Sequence, residues 1–309
     1  MRGVAGEVWR AVRPVGTYQR LLWWCGSALI ASGAVHGVVA VVDGTTWWGP
    51  VAWRKPVVFG LSFGLLVWSV VWILRSLPER WWVGVPAGLV AFTSVAEVLL
   101  ITLQRWRGVA SHFNQSGDVN SGIWSAIGTL VLPLVLGLAW LLVDALVRFR
   151  GGAVARIAVV AGLLAVLGAG AIGSDMARIG ETAFDETGQV PWEVVFGAAG
   201  SAKLAHAAGL HGLQVLALLA VALDTGRGPD RTSTRVMLLG AAGYAAVFGS
   251  ITATAYDGRA PQSPSAGMAL LLGAGALALV CAAAVAVSGL RTRPRRPVPG
   301  GVPSRRVGA

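Results

Sequence analysis

Eight stretches of this chain stay apolar long enough to cross a bilayer, with short polar segments between them. A membrane-spanning helix needs about 20 such residues. The stretches cover 21–42, 56–75, 82–103, 122–147, 153–173, 203–223, 235–255 and 267–290. They predict an all-α integral membrane bundle of about eight transmembrane helices, forming one domain over residues 21–290. A basic interfacial segment (1–20) precedes it, and an Arg- and Pro-rich tail (291–309), expected to be disordered, follows it.

Composition strengthens this reading. The 309 residues are 55% hydrophobic and 13% charged, with mean hydropathy +0.67, whereas a soluble domain carries about 25% charged residues. A net charge of +11 would suggest nucleic acid as partner for a soluble protein. Here its distribution explains it instead. With the N-terminus in the cytoplasm, inner segments hold eighteen of the 25 basic residues. The outer segments hold Arg54, Lys55, Arg105, Arg107, Arg178, Lys203 and Arg259. This is the positive-inside bias, and an even number of spans places both termini in the cytoplasm. The expected setting is a bacterial cytoplasmic membrane, with lipid as surroundings and no nucleic acid. The first span would act as an uncleaved signal-anchor.

Cys25 and Cys281 fall within spans and read as small apolar fillers. Trp23, Trp24, Trp47, Trp48, Trp53, Trp81, Trp82, Trp106 and Trp124 lie near span ends, as in an aromatic belt. Glycine is abundant, with 42 residues. The Gly60/Gly64 and Ala169/Gly173 pairs are candidate faces for close helix approach.

Against this background the few titratable groups stand out. All four histidines, both lysines and Glu97 fall toward the predicted outer side. Ionisable groups in hydrocarbon face a bundle interior or a water-filled cavity. At 100° per residue, Thr93, Glu97 and Gln104 fall within about 40° of one another on the third span. On the sixth span, with His206 at the origin, Lys203 lies at about 60°, Gln214 at about 80° and His211 at about 140°. The two histidines diverge too far to act as an i, i+4 zinc pair. Each can join a ligand from another helix. A divalent metal held by His206 or His211 with His112 and Glu97 is one candidate; a b-type haem between His36 and His211 is another. Arg178 and Asp175, at i and i+3, can pair with each other. Asn114-Gln115-Ser116 matches a glycosylation acceptor, a pattern too short to carry weight.

Several segments in order carry a resemblance: Trp53-Arg54-Lys55-Pro56, Glu97 to Gln104 with Gly108, Ser111-His112-Phe113-Asn114, Met176-Ala177-Arg178-Ile179-Gly180, and Lys203 to Gln214 with its His-x4-His-x2-Gln core. The set, over residues 45–225, resembles a group of uncharacterised bacterial polytopic membrane proteins. The resemblance implies a shared topology and shared polar positions, and no particular activity. One departure is Glu181, where members of that group often carry histidine.

The expectation is a polar pocket opening to the outer face that binds, and converts, a small molecule. Glu97, His112, His206 and His211 would be its acid–base or ligand groups. Arg54, Lys55, Arg105, Arg178 and Lys203 would meet an anionic part, with Gln104, Asn114 and Gln214 orienting it. A small-solute or proton-coupled transporter is the rival expectation. A membrane assembly factor without chemistry is a third.

Overall fold

A computed structural model of the chain describes residues 6, 9, 10, 12–226 and 231–292. Among these residues lie helices α1 (Thr17–Asp43), α2 (Arg54–Leu74), α3 (Gly84–Trp106), α4 (Asp118–Val147), α5 (Ala153–Thr187), α6 (Ala202–Leu210), α7 (Gly212–Gly226), α8 (Arg231–Tyr256) and α9 (Ala266–Thr292). A 3-10 turn, Trp81–Val83, leads into α3. Strands β1 (Val195–Phe196) and β2 (Gly200–Ser201) pair as a short antiparallel hairpin ahead of α6. Helices α6 and α7 are halves of one crossing, so the helices make eight crossings in all, each long and apolar enough for a membrane. Every expected span is present. Residues 293–309, nearly all of the expected tail, and residues 1–5, 7, 8 and 11 of the basic segment lie outside the described residues.

Eight alternating crossings put the start of α1 and the end of α9 on one face, called here the terminal face; the opposite one is the distal face. Local chemistry sets the helix ends. Gly44 closes α1 in the left-handed conformation (φ 63°), its N–H on the Ala40 carbonyl at 3.2 Å, and Gly188 closes α5 in the same way. Helix α5 outruns its expected span: it runs 35 residues, through Thr187. Residues 174–187, expected as loop, continue the helix beyond the apolar stretch on the distal side.

Backbone contact, made possible by glycine, joins the helices. A Cβ on Gly60 of α2 would sit 2.9 Å from the Cα and N of Gly33 on α1. One on Gly64 would come within 2.8 Å of the Gly26 carbonyl oxygen. The Gly60/Gly64 pair thus meets Gly33 and Gly26, and α1 and α2 approach at van der Waals distance. Ala169 on α5 contacts Gly209 on α6, and Gly173 lies against the His206 ring. Lipid tails are as apolar as leucine, so close packing of this kind, rather than hydrophobic transfer, holds membrane helices together.

The sixth crossing breaks at His211, between α6 and α7. The carbonyls freed there find donors. Tyr244 of α8 donates its hydroxyl to the Ala208 carbonyl. The Gln214 amide, oriented with its nitrogen toward the break, reaches the Leu210 carbonyl at 3.0 Å; it also lies 3.2 Å from the His211 carbonyl, which accepts the Val215 N–H at 3.1 Å. Backbone left unsatisfied inside a membrane would be costly, so these two side chains make the discontinuity tolerable.

Gly60→Leu should lower the thermal unfolding midpoint of the detergent-solubilised protein, because its side chain meets backbone that cannot yield; overpacking typically costs about 1–3 kcal/mol. Gly37→Ala, whose Cβ meets nothing within 4 Å, should leave the midpoint unchanged. Equal effects from the two would contradict the packing described.

Candidate functional site

At the distal face three elements bring basic and imidazole groups together. Arg54 and Lys55 open α2, with Pro56 in the same first turn, where its missing N–H costs nothing. His112 comes from the loop joining α3 to α4. Lys203 and His206 lie on α6, whose start Ser201 caps through its hydroxyl on the Leu204 N–H at 3.3 Å. Lys55 lies within electrostatic range of Arg54 and Lys203, and His112 within range of Lys55 and His206.

The loop holding His112 is tightly constrained. Gln104, fully buried, donates to Asn120 at 3.2 Å, and its carbonyl oxygen accepts from Arg107. The Asn114 amide donates to the Ala110 carbonyl at 3.1 Å and its oxygen accepts the Ser116 N–H at 3.1 Å. Phe113 has φ 60°, the only positive value for a non-glycine among the described residues. For a bulky side chain this is a strained conformation. Its ring lies against Gly180 of α5, where a Cβ would come within 2.5 Å of it. The His112 ring sits among Phe59 (5.4 Å), Trp124 (5.4 Å) and Phe113 (5.9 Å), with Nδ1 2.9 Å from the Ser111 hydroxyl.

His206 places Nδ1 2.7 Å from the Ala169 carbonyl. A carbonyl only accepts, so Nδ1 carries the proton, and in the neutral ring Nε2 keeps its lone pair. Gly173 leaves room for the ring: a Cβ there would lie 3.0 Å from Cε1.

The charge balance is unusual. Among the described residues the Lys55 ammonium has neither ion pair nor hydrogen bond, and Arg54 Nε is buried without a partner. The Arg54 guanidinium lies 5.0 Å over the Trp48 ring. Lys203 reaches Glu193 at 4.0 Å and the Trp192 carbonyl at 3.5 Å, with Glu193 mostly exposed. Three cations therefore lie within electrostatic range of one another, and among the described residues the acid paired with any of them is the solvent-facing Glu193.

Other residues expected at the site serve elsewhere. Arg105 is held by Asp43 at 3.3 Å and stacks 3.9 Å over Trp53. Arg178 is exposed and pairs with Asp175 at 3.5 Å. Gln104 and Asn114 fasten the His112 loop, and Gln214 caps the α6–α7 break. His211 forms that break. Glu97 is buried in α3, and no hydrogen bond or ion pair joins it to the histidines or lysines; its Oε2 has no partner among the described residues. Nor do any three His, Cys, Asp or Glu side chains among them gather as a metal-binding group.

The haem pairing of His36 with His211 does not fit. His36 Nδ1 donates to the Ser32 carbonyl at 2.8 Å, and Nε2 accepts from Trp106 at 3.1 Å. Both ring nitrogens are taken, leaving none for iron.

Two tryptophans expected in the aromatic belt are instead buried parts of this end of the bundle. Trp53 donates to Asp43 at 2.7 Å and Trp124 to Glu181 at 2.8 Å. Glu181, in the position flagged as a departure from the resembled group, is thus an anchor for Trp124 beside the His112 ring. Phe59 and Phe113 likewise belong to the site; Phe113 lay within a noted motif, and Phe59 follows Lys55 by one helical turn.

No family model matches the chain, and neither a curated protein nor a solved structure does. The fold itself defines a multi-pass α-helical membrane protein.

Burial, then the neighbouring Lys55 and His206, hold the His112 imidazole well below its ordinary value of 6.5. It is neutral in the folded protein where the same residue in an unfolded chain would take a proton. As pH falls through about 6.5 and below, the unfolded state gains protons that the native state refuses, so stability declines. The thermal midpoint should drop between about pH 7 and about pH 5, and His112→Asn should make that drop shallower. An identical pH dependence in the variant would rule out this role for His112.

Proposed function

We propose that the protein binds a small anionic molecule at its distal face, in a pocket formed by Arg54, Lys55 and Lys203. His112 and His206 are the groups that give or take a proton from the bound molecule. The distal face is read as the outer side of a bacterial cytoplasmic membrane, since the excess of arginine flanks the terminal face. The ordered polar motifs that resemble a group of bacterial membrane proteins fall largely on these elements.

One observation carries the reading: three basic side chains are crowded together without a buried acid among them. Like charges in a partly desolvated space repel, and an anion entering between them relieves that repulsion. The histidines suit chemistry beyond binding. Each is fixed by a local partner, His112 at Ser111 and His206 at Ala169, on the ring nitrogen Nδ1. The Nε2 atoms are left for the ligand. Rigid placement of such groups is what proton transfer requires.

Transport is the second reading, and the break at His211 favours it. Discontinuous helices with side-chain-capped carbonyls near the middle of a span are a recurrent feature of transporter binding sites. Uptake of a radiolabelled anion into proteoliposomes would separate the two readings.

The test of binding uses full-length protein in detergent, titrated with inorganic phosphate and separately with succinate, followed by calorimetry. Lys55→Gln and Lys203→Gln should each weaken affinity by about tenfold or more, the effect of losing one charge-assisted contact. Arg178→Gln, exposed and already paired, should leave it unchanged. Raising the salt concentration should weaken binding of either anion. If neither anion binds to the wild type, or the two lysine variants match it, the assignment is wrong.

A further inference from the structure

The buried carboxyl of Glu97 plays no part in the cationic site, and its surroundings suggest a different role. Four polar atoms on α3 are buried without a hydrogen-bond partner among the described residues: Ser94 Oγ, Glu97 Oε2, Thr102 Oγ1 and Arg105 Nε. Glu97 is 5% exposed and Ser94 fully buried. At 100° per residue the four fall within an arc of about 140°. From Ser94 to Arg105 they span about 16 Å along the helix, with Glu97 one turn above Ser94 and Thr102 between Glu97 and the distal end.

A hydroxyl in a helix commonly turns back onto its own backbone. Thr93 does so, reaching the Leu89 carbonyl at 2.7 Å. Ser94 and Thr102 do not, and their oxygens are left for some other partner. Buried polar atoms in native proteins are nearly always matched, by protein or by water. An ionised carboxylate in hydrocarbon needs a counter-charge, and no cation pairs with Glu97 among the described residues. At the distal end of the row stands Arg105, fixed by Asp43 and Trp53. Its charge disfavours the approach of a metal cation from that side, whereas a hydroxyl, which both donates and accepts, can hand on a proton.

We propose that Glu97 is a proton-binding site inside the bundle, reached from the distal face past Thr102, with the Ser94 hydroxyl one turn deeper, and separate from the cationic site. Its carboxylate takes one proton from hydronium at that face and returns it to water by the same route. No bond to carbon forms or breaks.

The test uses dicyclohexylcarbodiimide, an apolar reagent that adds to a carboxyl group only in its protonated form. Full-length protein in proteoliposomes is treated across a range of pH, and the adducts are located by peptide mass mapping. The expected result is an adduct at Glu97 whose yield falls as pH rises. Glu97→Gln should abolish it, and Thr102→Val should slow it. No adduct at Glu97 at any pH, or a yield indifferent to pH, overturns the proposal.

Should Glu97→Gln fail to insert, infrared spectroscopy of the wild type decides. A carboxylic-acid C=O band that shifts in D2O and fades at high pH supports the site; its absence refutes it. Phosphate titration of Glu97→Gln keeps the two sites distinct. Wild-type affinity in that variant is expected, and a lost affinity would overturn the separation of the sites.

Discussion

Inside a membrane-spanning bundle a polar atom must be matched by the protein itself, because no bulk water is present to do so. Most of this molecule obeys that constraint through pairings between helices. Trp53 finds Asp43 across the first loop, Trp124 of α4 finds Glu181 of α5, and Trp106 of α3 finds His36 of α1. The same rule permits the interruption at His211, since Tyr244 and Gln214 supply donors to the freed carbonyls.

The exceptions to the constraint have opposite signs and lie apart. Lys55 is unpaired at the distal end of α2, and Glu97 is unpaired two turns below Gln104 on α3. A lysine and a glutamate are the natural partners for one another, and the neighbouring helices α2 and α3 carry one each. Pairing them would neutralise both at once. The fold keeps each without the other, and the two proposed ligands, an anion and a proton, carry the charges that would complement them.

Much of the architecture was legible in the sequence because the length of an apolar run is a direct physical measure of a crossing. The close approach at Gly60 and Gly64 was legible too, as was the pairing of Asp175 with Arg178. Helix α5 outran its apolar stretch because hydropathy ends near Gly173 while no left-handed glycine stops the helix until Gly188. The angular relation between His206 and His211 assumed a continuous helix, and the break at His211 removes that assumption. Trp53 and Trp124 were indistinguishable from belt residues, since a partner carboxylate 10 or 57 positions away leaves no local trace. Convergence of Lys55, His112 and His206 came from tertiary packing of α2, a loop and α6, which a linear pattern cannot show.

The loop bearing His112 shows how that convergence is maintained. Phe113 holds a left-handed backbone that for such a residue costs on the order of 1–3 kcal/mol. Strain of that size persists only where the surroundings over-determine the conformation. Here Gln104, Arg107, Asn114 and Asn120 tie the loop from one side, and the absence of a side chain at Gly180 admits the Phe113 ring on the other. Relaxing Phe113 to an ordinary conformation would swing its ring off Gly180 and carry the adjacent imidazole away from Lys55 and His206. The motif from Ser111 to Asn114 therefore works as a unit: its polar ends secure the loop, its strained centre fills the contact with α5, and His112 is left facing the cations.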